Sequence, residues 1–122
     1  MKVAEKLVIM VTHGPDEPEL ATIPFVMAGA AVASDVEVVM GFQGDGCLLC
    51  IKGEAEKIAA PEFAPLKGLL DSVLEFGGKL LVCTPCVKNR GIAPEDLVEG
   101  AELVAAARFV AEVTSATNSL VY

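Results

Sequence analysis

Short apolar runs of strand length alternate along this chain with segments in which apolar residues recur every three or four positions. Leu7-Val8-Ile9-Met10-Val11 is continuous and apolar, and the turn-forming Gly14-Pro15-Asp16 ends it. It reads as a central strand. Asp16 followed three positions later by Glu19 predicts a capping box, after which Leu20, Ile23, Met27 and Ala31 share one helical face. Pro24 is expected to kink that helix or delay its start, since it has no N–H and crowds the preceding turn. Val36, Val38, Val39 and Met40 predict a second strand. The GFQGDG segment at residues 41–46 is too glycine-rich for regular structure. Cys47-Leu48-Leu49-Cys50-Ile51 is a short apolar stretch whose type periodicity leaves undecided.

In the second half, Leu66, Leu69, Leu70, Val73 and Leu74 recur at helical spacing, and Gly77 suits the left-handed position that ends a helix. Leu80-Leu81-Val82 follows as a buried strand that delivers Cys83 to the point where Pro85 forbids further pairing. Pro94 opens a one-turn helix closed by Gly100. Glu102-Leu103-Val104 reads weakly as a strand, residues 105–114 as a helix, and Ser119-Leu120-Val121-Tyr122 as a last strand. Strands alternating with helices imply right-handed crossovers and an α/β three-layer sandwich on a mostly parallel sheet of about five strands. Sites in such sheets lie at the carboxyl ends of the strands. His13, the loop bearing Gly44 and Gly46, and Cys83 are therefore expected along one edge.

Composition narrows the function classes. A chain of 122 residues suits a single domain, 1–122. Its hydrophobic content of 53%, with no Trp and 5% aromatics, suggests a sheet covered on both faces with apolar surface left for subunit contacts, hence a homo-oligomer. A net charge of −8 argues against nucleic acid and membrane surfaces as partners. The longest uncharged run, residues 20–34, falls short of the ~20 residues of a membrane span and contains Pro24 and Gly29. Glu5 and Lys6 interrupt any signal-peptide pattern, so a cytoplasmic location is expected. In that reducing setting four cysteines read as metal ligands, redox or transfer centres, or buried thiols.

Of these, Cys83 carries the strongest chemical signal. A helix beginning after it would aim unpaired backbone N–H groups at its sulfur, and Lys88 and Arg90 add positive charge, all of which favours thiolate. A lone strand-end cysteine is otherwise a small hydrophobe, but the polar, basic flank weighs against that. The pairs Cys47/Cys50 and Cys83/Cys86 also supply four soft ligands for tetrahedral zinc or an iron–sulfur centre. The 32 residues between the pairs exceed the ~15 to 20 of a zinc ribbon, so the pairs would have to meet by tertiary packing. Leu48, Leu49 and Ile51 alternatively make Cys47 and Cys50 core thiols. Cys83-Thr84-Pro85-Cys86 has the proline placement of a thiol–disulfide centre, in which the first cysteine attacks and the second resolves. No proline beyond Pro94 supplies the facing loop of the thioredoxin fold, yet a Cys83–Cys86 disulfide stands as a resting or regulatory state. His13, the one histidine, either positions or deprotonates a substrate thiol or simply hydrogen-bonds in its turn. With no P-loop and no dinucleotide fingerprint, no cofactor is expected.

The run VCTPCVKNRGIAPEDLVEGAELV, with VTHGPDEPELATIPFVMAGAA near the start and GDGCLLCIKG in the middle, resembles the DsrE/DsrF-like sulfur-relay family over nearly the whole chain. Its most specific element is a strand-end cysteine eight positions before the glycine of an Arg-Gly pair, here Cys83 and Arg90-Gly91. The resemblance implies an α/β sandwich assembling as trimers or hexamers. It also implies that Cys83 accepts sulfane sulfur as a persulfide and passes it to a partner, so that sulfur donor and acceptor proteins are the expected partners. Related members include subunits of the sulfur-transfer complexes of sulfur oxidation and of tRNA thiolation. The chain departs from the family pattern at Cys86, where small apolar residues are usual, and at Cys47 and Cys50, where apolar ones are common.

Overall fold

A computed structural model describes residues 4–122; residues 1–3 of the expected domain lie outside the described residues. Five strands, β1 (Lys6–Val11), β2 (Glu37–Phe42), β3 (Lys79–Cys83), β4 (Ala101–Val104) and β5 (Asn118–Val121), are joined by four helices. These are α1 (Pro18–Ala33), α2 (Leu66–Glu75), α3 (Thr84–Asn89) and α4 (Ala106–Thr114), and 3-10 turns lie at Gly44–Cys50, Ala55–Lys57 and Pro94–Asp96. The sheet is parallel throughout, in the order β4-β3-β2-β1-β5. Steps from β1 to β4 all run in one direction, so right-handed crossovers place their helices on one face, whereas the return step to β5 sends α4 to the other.

Two apolar clusters follow from that split. Ile9, Val11, Met40, Phe42, Leu80 and Val82 point to the α1 and α2 side, where Phe25, Leu66, Leu70 and Val73 meet them. Val8, Met10, Val39, Leu81 and Val104 point the other way, onto Phe109 of α4. Because strand side chains alternate, a run that is apolar at every position serves both faces. Charge holds α4 down as well: Lys6 Nζ lies 2.6 Å from Glu112, which Arg108 Nε also reaches at 2.7 Å, and Arg108 Nη1 continues to Glu102 at 3.1 Å. The hydrogen bond from Lys6, followed by that from Arg108, holds the Glu112 carboxyl below the usual carboxylate range.

Several expectations are corrected. The helix opens on Pro18, with Glu17 at the N-cap and no side-chain cap, so Asp16 and Glu19 form no capping box. The φ of Pro18 is already helical, and its missing N–H would have had no partner there. Of the two effects expected of Pro24, a delayed start does not occur: α1 begins at Pro18 and continues past Pro24 to Ala33. The stripe of Leu20, Ile23, Met27 and Ala31 is not the buried face. Ala21, Thr22, Pro24, Phe25 and Ala28 turn inward, and Leu20 and Met27 are 37% and 40% exposed. The glycine-rich segment is regular after all: Gly41 and Phe42 complete β2, and a 3-10 turn starts at Gly44. Gly41 leaves room inside the strand for Met10 and Phe109, since a Cβ there would lie 2.6 Å from Met10 Sδ and 2.8 Å from Phe109 Cε1 and those side chains would have to shift. Gly77 does end α2 with φ +90. Among the described residues, no helix is long and apolar enough to cross a membrane.

Candidate functional site

At the carboxyl ends of β3 and β2, two adjacent loops face each other. Cys83 is the last residue of β3 and the N-cap of α3, and its sulfur accepts the Cys86 N–H at 3.4 Å. Proline at the next position but one can pair in no strand yet fits a first helical turn, which is why strand becomes helix here. Thr84 Oγ1 donates to the Val104 carbonyl at 2.8 Å and ties this turn to β4. The turn brings the Cα atoms of Cys83 and Cys86 to 5.3 Å, and their sulfurs are paired as a disulfide. Both residues are partly exposed. Cys83 packs against the α4-side cluster and Cys86 against the opposite one, so the pair straddles the end of the sheet.

The loop after β2 supplies the other wall. Gly44, with φ +55, donates its N–H to Cys86 Sγ at 3.3 Å. Asp45 Oδ1 accepts from Arg90 Nη2 at 2.9 Å and Nε at 3.2 Å, while Arg90 Nη1 reaches the Cys86 carbonyl at 3.2 Å. One guanidinium thus joins both loops. Gly46 lies so close to β1 that a Cβ would fall on the Val11 carbonyl oxygen, and one on Gly14 would lie 2.6 Å from the Asp45 carbonyl oxygen. The far end of the 3-10 turn is stapled by the Val98 N–H to the Cys50 carbonyl at 2.8 Å.

Cys47 and Cys50 are fully buried in the larger cluster. Burial pushes both thiols up; for Cys47 the Arg90 charge opposes the rise, and for Cys50 the neighbouring Cys47 adds to it. Among the described residues, no three His, Cys, Asp or Glu side chains are grouped so as to hold a metal. The two CxxC pairs follow neighbouring strands, yet the geometry does not converge them into one ligand set. His13 lies two residues beyond β1 at the same edge, and β1 is two strand spacings, or roughly 10 Å of sheet, from β3. Its Nδ1 is buried without a partner, and among the described residues no hydrogen bond joins it to either paired cysteine. Lys88 is exposed on α3, and Gly91 follows that helix with φ +67.

Sequence reasoning named Gly44 and Arg90 but missed Asp45 and the use of the Gly44 N–H. The available signal was an acidic residue between two glycines beyond one strand and an arginine beyond the next. Beside Cys83 the sheet also carries an open apolar groove of ≈ 290 Å³ lined by Met10, Gln43, Phe109, Val110, Val113 and Thr114. Gln43 follows Phe42, the register partner of Val82, and so neighbours Cys83.

Comparison with known proteins bears on this arrangement. The chain is 32% identical to the uncharacterised protein MJ0760 of Methanocaldococcus jannaschii over 106 residues, which is 87% of this chain and 38% of that protein. It therefore spans well under half of that relative. A second protein of the same organism, MJ0989, is 29% identical over 96% of this chain and 99% of its own length. In solved structures, the Escherichia coli ychN protein superposes with a TM-score of 0.82 at 19% identity, covering 97% of this chain and 99% of that one. MTH1491 of Methanobacterium thermoautotrophicum superposes with 0.72 at 15% identity, with the same coverage. These two likenesses show the fold. The model of the DsrE/DsrF-like family matches residues 5–122, and the chain accordingly belongs to that family, which is of sulfur-relay type.

Proposed function

We propose that the chain carries sulfane sulfur on Cys83. In the reduced protein the Cys83 thiolate attacks the terminal sulfur of a donor persulfide, R–S–SH; the new S–S bond makes Cys83–S–SH, and R–S⁻ leaves and takes up a proton. An acceptor thiolate on a partner protein then removes that terminal sulfur and restores the Cys83 thiolate. The observation that carries this reading is the position of Cys83: partly exposed where β3 stops, its sulfur meets the Cys86 N–H, and Lys88 and Arg90 follow within the same short segment. The protein works in the cytoplasm, between donor and acceptor proteins, as a homo-oligomer of three or six copies. Apolar Leu20, Val26 and Met27, exposed along α1, support subunit contact with further copies of the chain.

The test is direct. Reduced protein incubated with a persulfide donor should gain the mass of one sulfur atom, lose it to reductant, and fail to gain it as Cys83→Ser. Loading of Cys47 or Cys50 instead, or normal loading of the Cys83→Ser variant, would overturn the reading. The pairing of Cys83 with Cys86 supports a second reading, a thiol–disulfide redox protein. Turnover of a small disulfide to two thiols requires both sulfurs, whereas sulfur loading requires only Cys83, so Cys86→Ser separates the two: it should keep loading and, with small disulfides, stop at the mixed disulfide on Cys83.

A further inference from the structure

While Cys83 and Cys86 are joined, neither sulfur is a nucleophile, and the chain in this form cannot draw sulfur from a persulfide. A disulfide is nevertheless an electrophile, and its two ends differ here. The Cys86 sulfur takes an N–H from outside its own turn, that of Gly44, at 3.3 Å. Its carbonyl holds the Arg90 guanidinium at 3.2 Å, and Asp45 fixes the guanidinium from the other side. An anion forming on Cys86 therefore meets a prearranged N–H donor, in a loop that the Arg90–Asp45 pair holds in place. The Cys83 sulfur has the Cys86 N–H of its own turn and lies at the partly exposed end of β3. Both cysteines are partly exposed, so the choice of end falls to the leaving group: in thiol–disulfide exchange the sulfur better able to carry negative charge departs.

We infer that the disulfide form accepts inorganic sulfide. Hydrosulfide, HS⁻, attacks Cys83 Sγ; the Cys83–Cys86 bond breaks, Cys86 leaves as a thiolate on the Gly44 N–H, and Cys83 becomes Cys83–S–SH. The sulfide sulfur is oxidised by two electrons to the sulfane level and the disulfide is reduced by the same two, so no other oxidant takes part. The reverse step is equally balanced: the Cys86 thiolate attacks Cys83 Sγ, expels HS⁻ and restores the disulfide. Cys86 therefore gives the carrier a second way to load, from sulfide rather than from a persulfide donor, and limits how long an undelivered sulfur stays. The inference rests on the relay reading in that Cys83 is the atom that holds the sulfur.

Oxidised protein, free of reductant, is mixed anaerobically with sodium sulfide and then quenched with iodoacetamide. The intact mass should show the addition of one hydrogen sulfide and two alkyl groups. Fragmentation of the tryptic peptide at residues 80–88 should place a thioether on Cys86 and a reductant-labile alkylated persulfide on Cys83. Reduced protein, Cys83→Ser and Cys86→Ser should all gain no sulfur from sulfide. In the reverse direction, reduced wild-type protein loaded by a persulfide donor and left without acceptor should release hydrosulfide and re-form the disulfide, whereas Cys86→Ser keeps its sulfur. A disulfide that persists in excess sulfide, or an added sulfur found on Cys86, overturns the inference even if the reduced protein loads normally. Failure of the reduced protein to load from the donor overturns the relay reading itself.

Discussion

Arg90 and Asp45, 45 residues apart, meet with Nη2 and Nε 2.9 and 3.2 Å from one carboxylate oxygen, and the third guanidinium nitrogen rests on the Cys86 carbonyl. The loops after β2 and β3 are held as one unit by this side chain, so the Cys86 sulfur and the N–H of Gly44 keep a common geometry. Since Asp45 is 54% exposed, the pair works chiefly by positioning.

Removing either partner should therefore perturb sulfur chemistry more than stability. Asp45→Ala is expected to cost about 0.5 kcal/mol in urea unfolding, and Arg90→Ala about 1 kcal/mol because it also gives up the bond to Cys86. A double-mutant cycle should return a coupling of about 0.5 kcal/mol, and sulfur loading of both variants should slow. Strictly additive effects with unchanged loading would count against the clamp.

The four cysteines should alkylate in a fixed order once the disulfide is reduced. Cys83 and Cys86 come first, while Cys47 and Cys50 stay unlabelled near neutral pH. Both buried thiols have pKa values raised by burial, so thiolate is scarce below alkaline pH, and their full burial denies access to the reagent. A timed alkylation followed by peptide mapping reads the order. Early labelling of Cys47 in folded protein would contradict it.

Two glycines of one loop should respond differently to alanine. At Gly46 a Cβ meets the Val11 carbonyl oxygen, a backbone atom that cannot step aside, so Gly46→Ala should cost about 2–3 kcal/mol. At Gly44 a Cβ meets open space and the change costs only left-handed strain, about 1 kcal/mol. Gly44→Ala should thus fold and yet, by shifting the N–H that faces Cys86, alter the rate at which sulfide opens the disulfide. Urea melts of both variants check the difference.

The Lys6–Glu112–Arg108 cluster predicts an acid response. The folded-state pKa of Glu112 is lowered, first by the Lys6 hydrogen bond and then by Arg108. Its contribution is therefore present above the ordinary carboxylate range and is lost as pH falls through the lowered value. Glu112→Gln should cost about 1–2 kcal/mol near neutral pH and less in acid, as α4 loses its tie to β1. Denaturation curves at neutral and acidic pH test this, and a cost independent of pH would refute it.

The outward stripe of α1 predicts assembly. Light scattering should show a multimer at micromolar concentration, and Met27→Asp, which places a charge on an exposed apolar helix face away from the core, should shift it toward monomer without unfolding it. A monomeric wild-type protein would remove that part of the proposal.

Strands β1 and β3 were legible in the sequence because each carries an unbroken apolar run, which a parallel sheet buried on both faces requires, whereas β2 was legible only as far as Met40 because Gly41 masked its end. The place of Cys83 at a strand end was legible too, since Pro85 permits a helical first turn but no further strand pairing. Periodicity could not say which side of α1 turns inward, because the helix is apolar all round; packing chose the face whose Ala21, Ala28 and Pro24 allow close approach around Phe25. Nor could spacing choose among metal, free thiol and disulfide for a CxxC pair. That was decided by the turn that brings the Cα atoms of Cys83 and Cys86 to 5.3 Å. The contacts of Gly44 with Cys86 and of Asp45 with Arg90 join residues more than forty positions apart. They exist because β2 and β3 are parallel neighbours whose ends coincide, a relation that belongs to the assembled sheet and to no local stretch of chain.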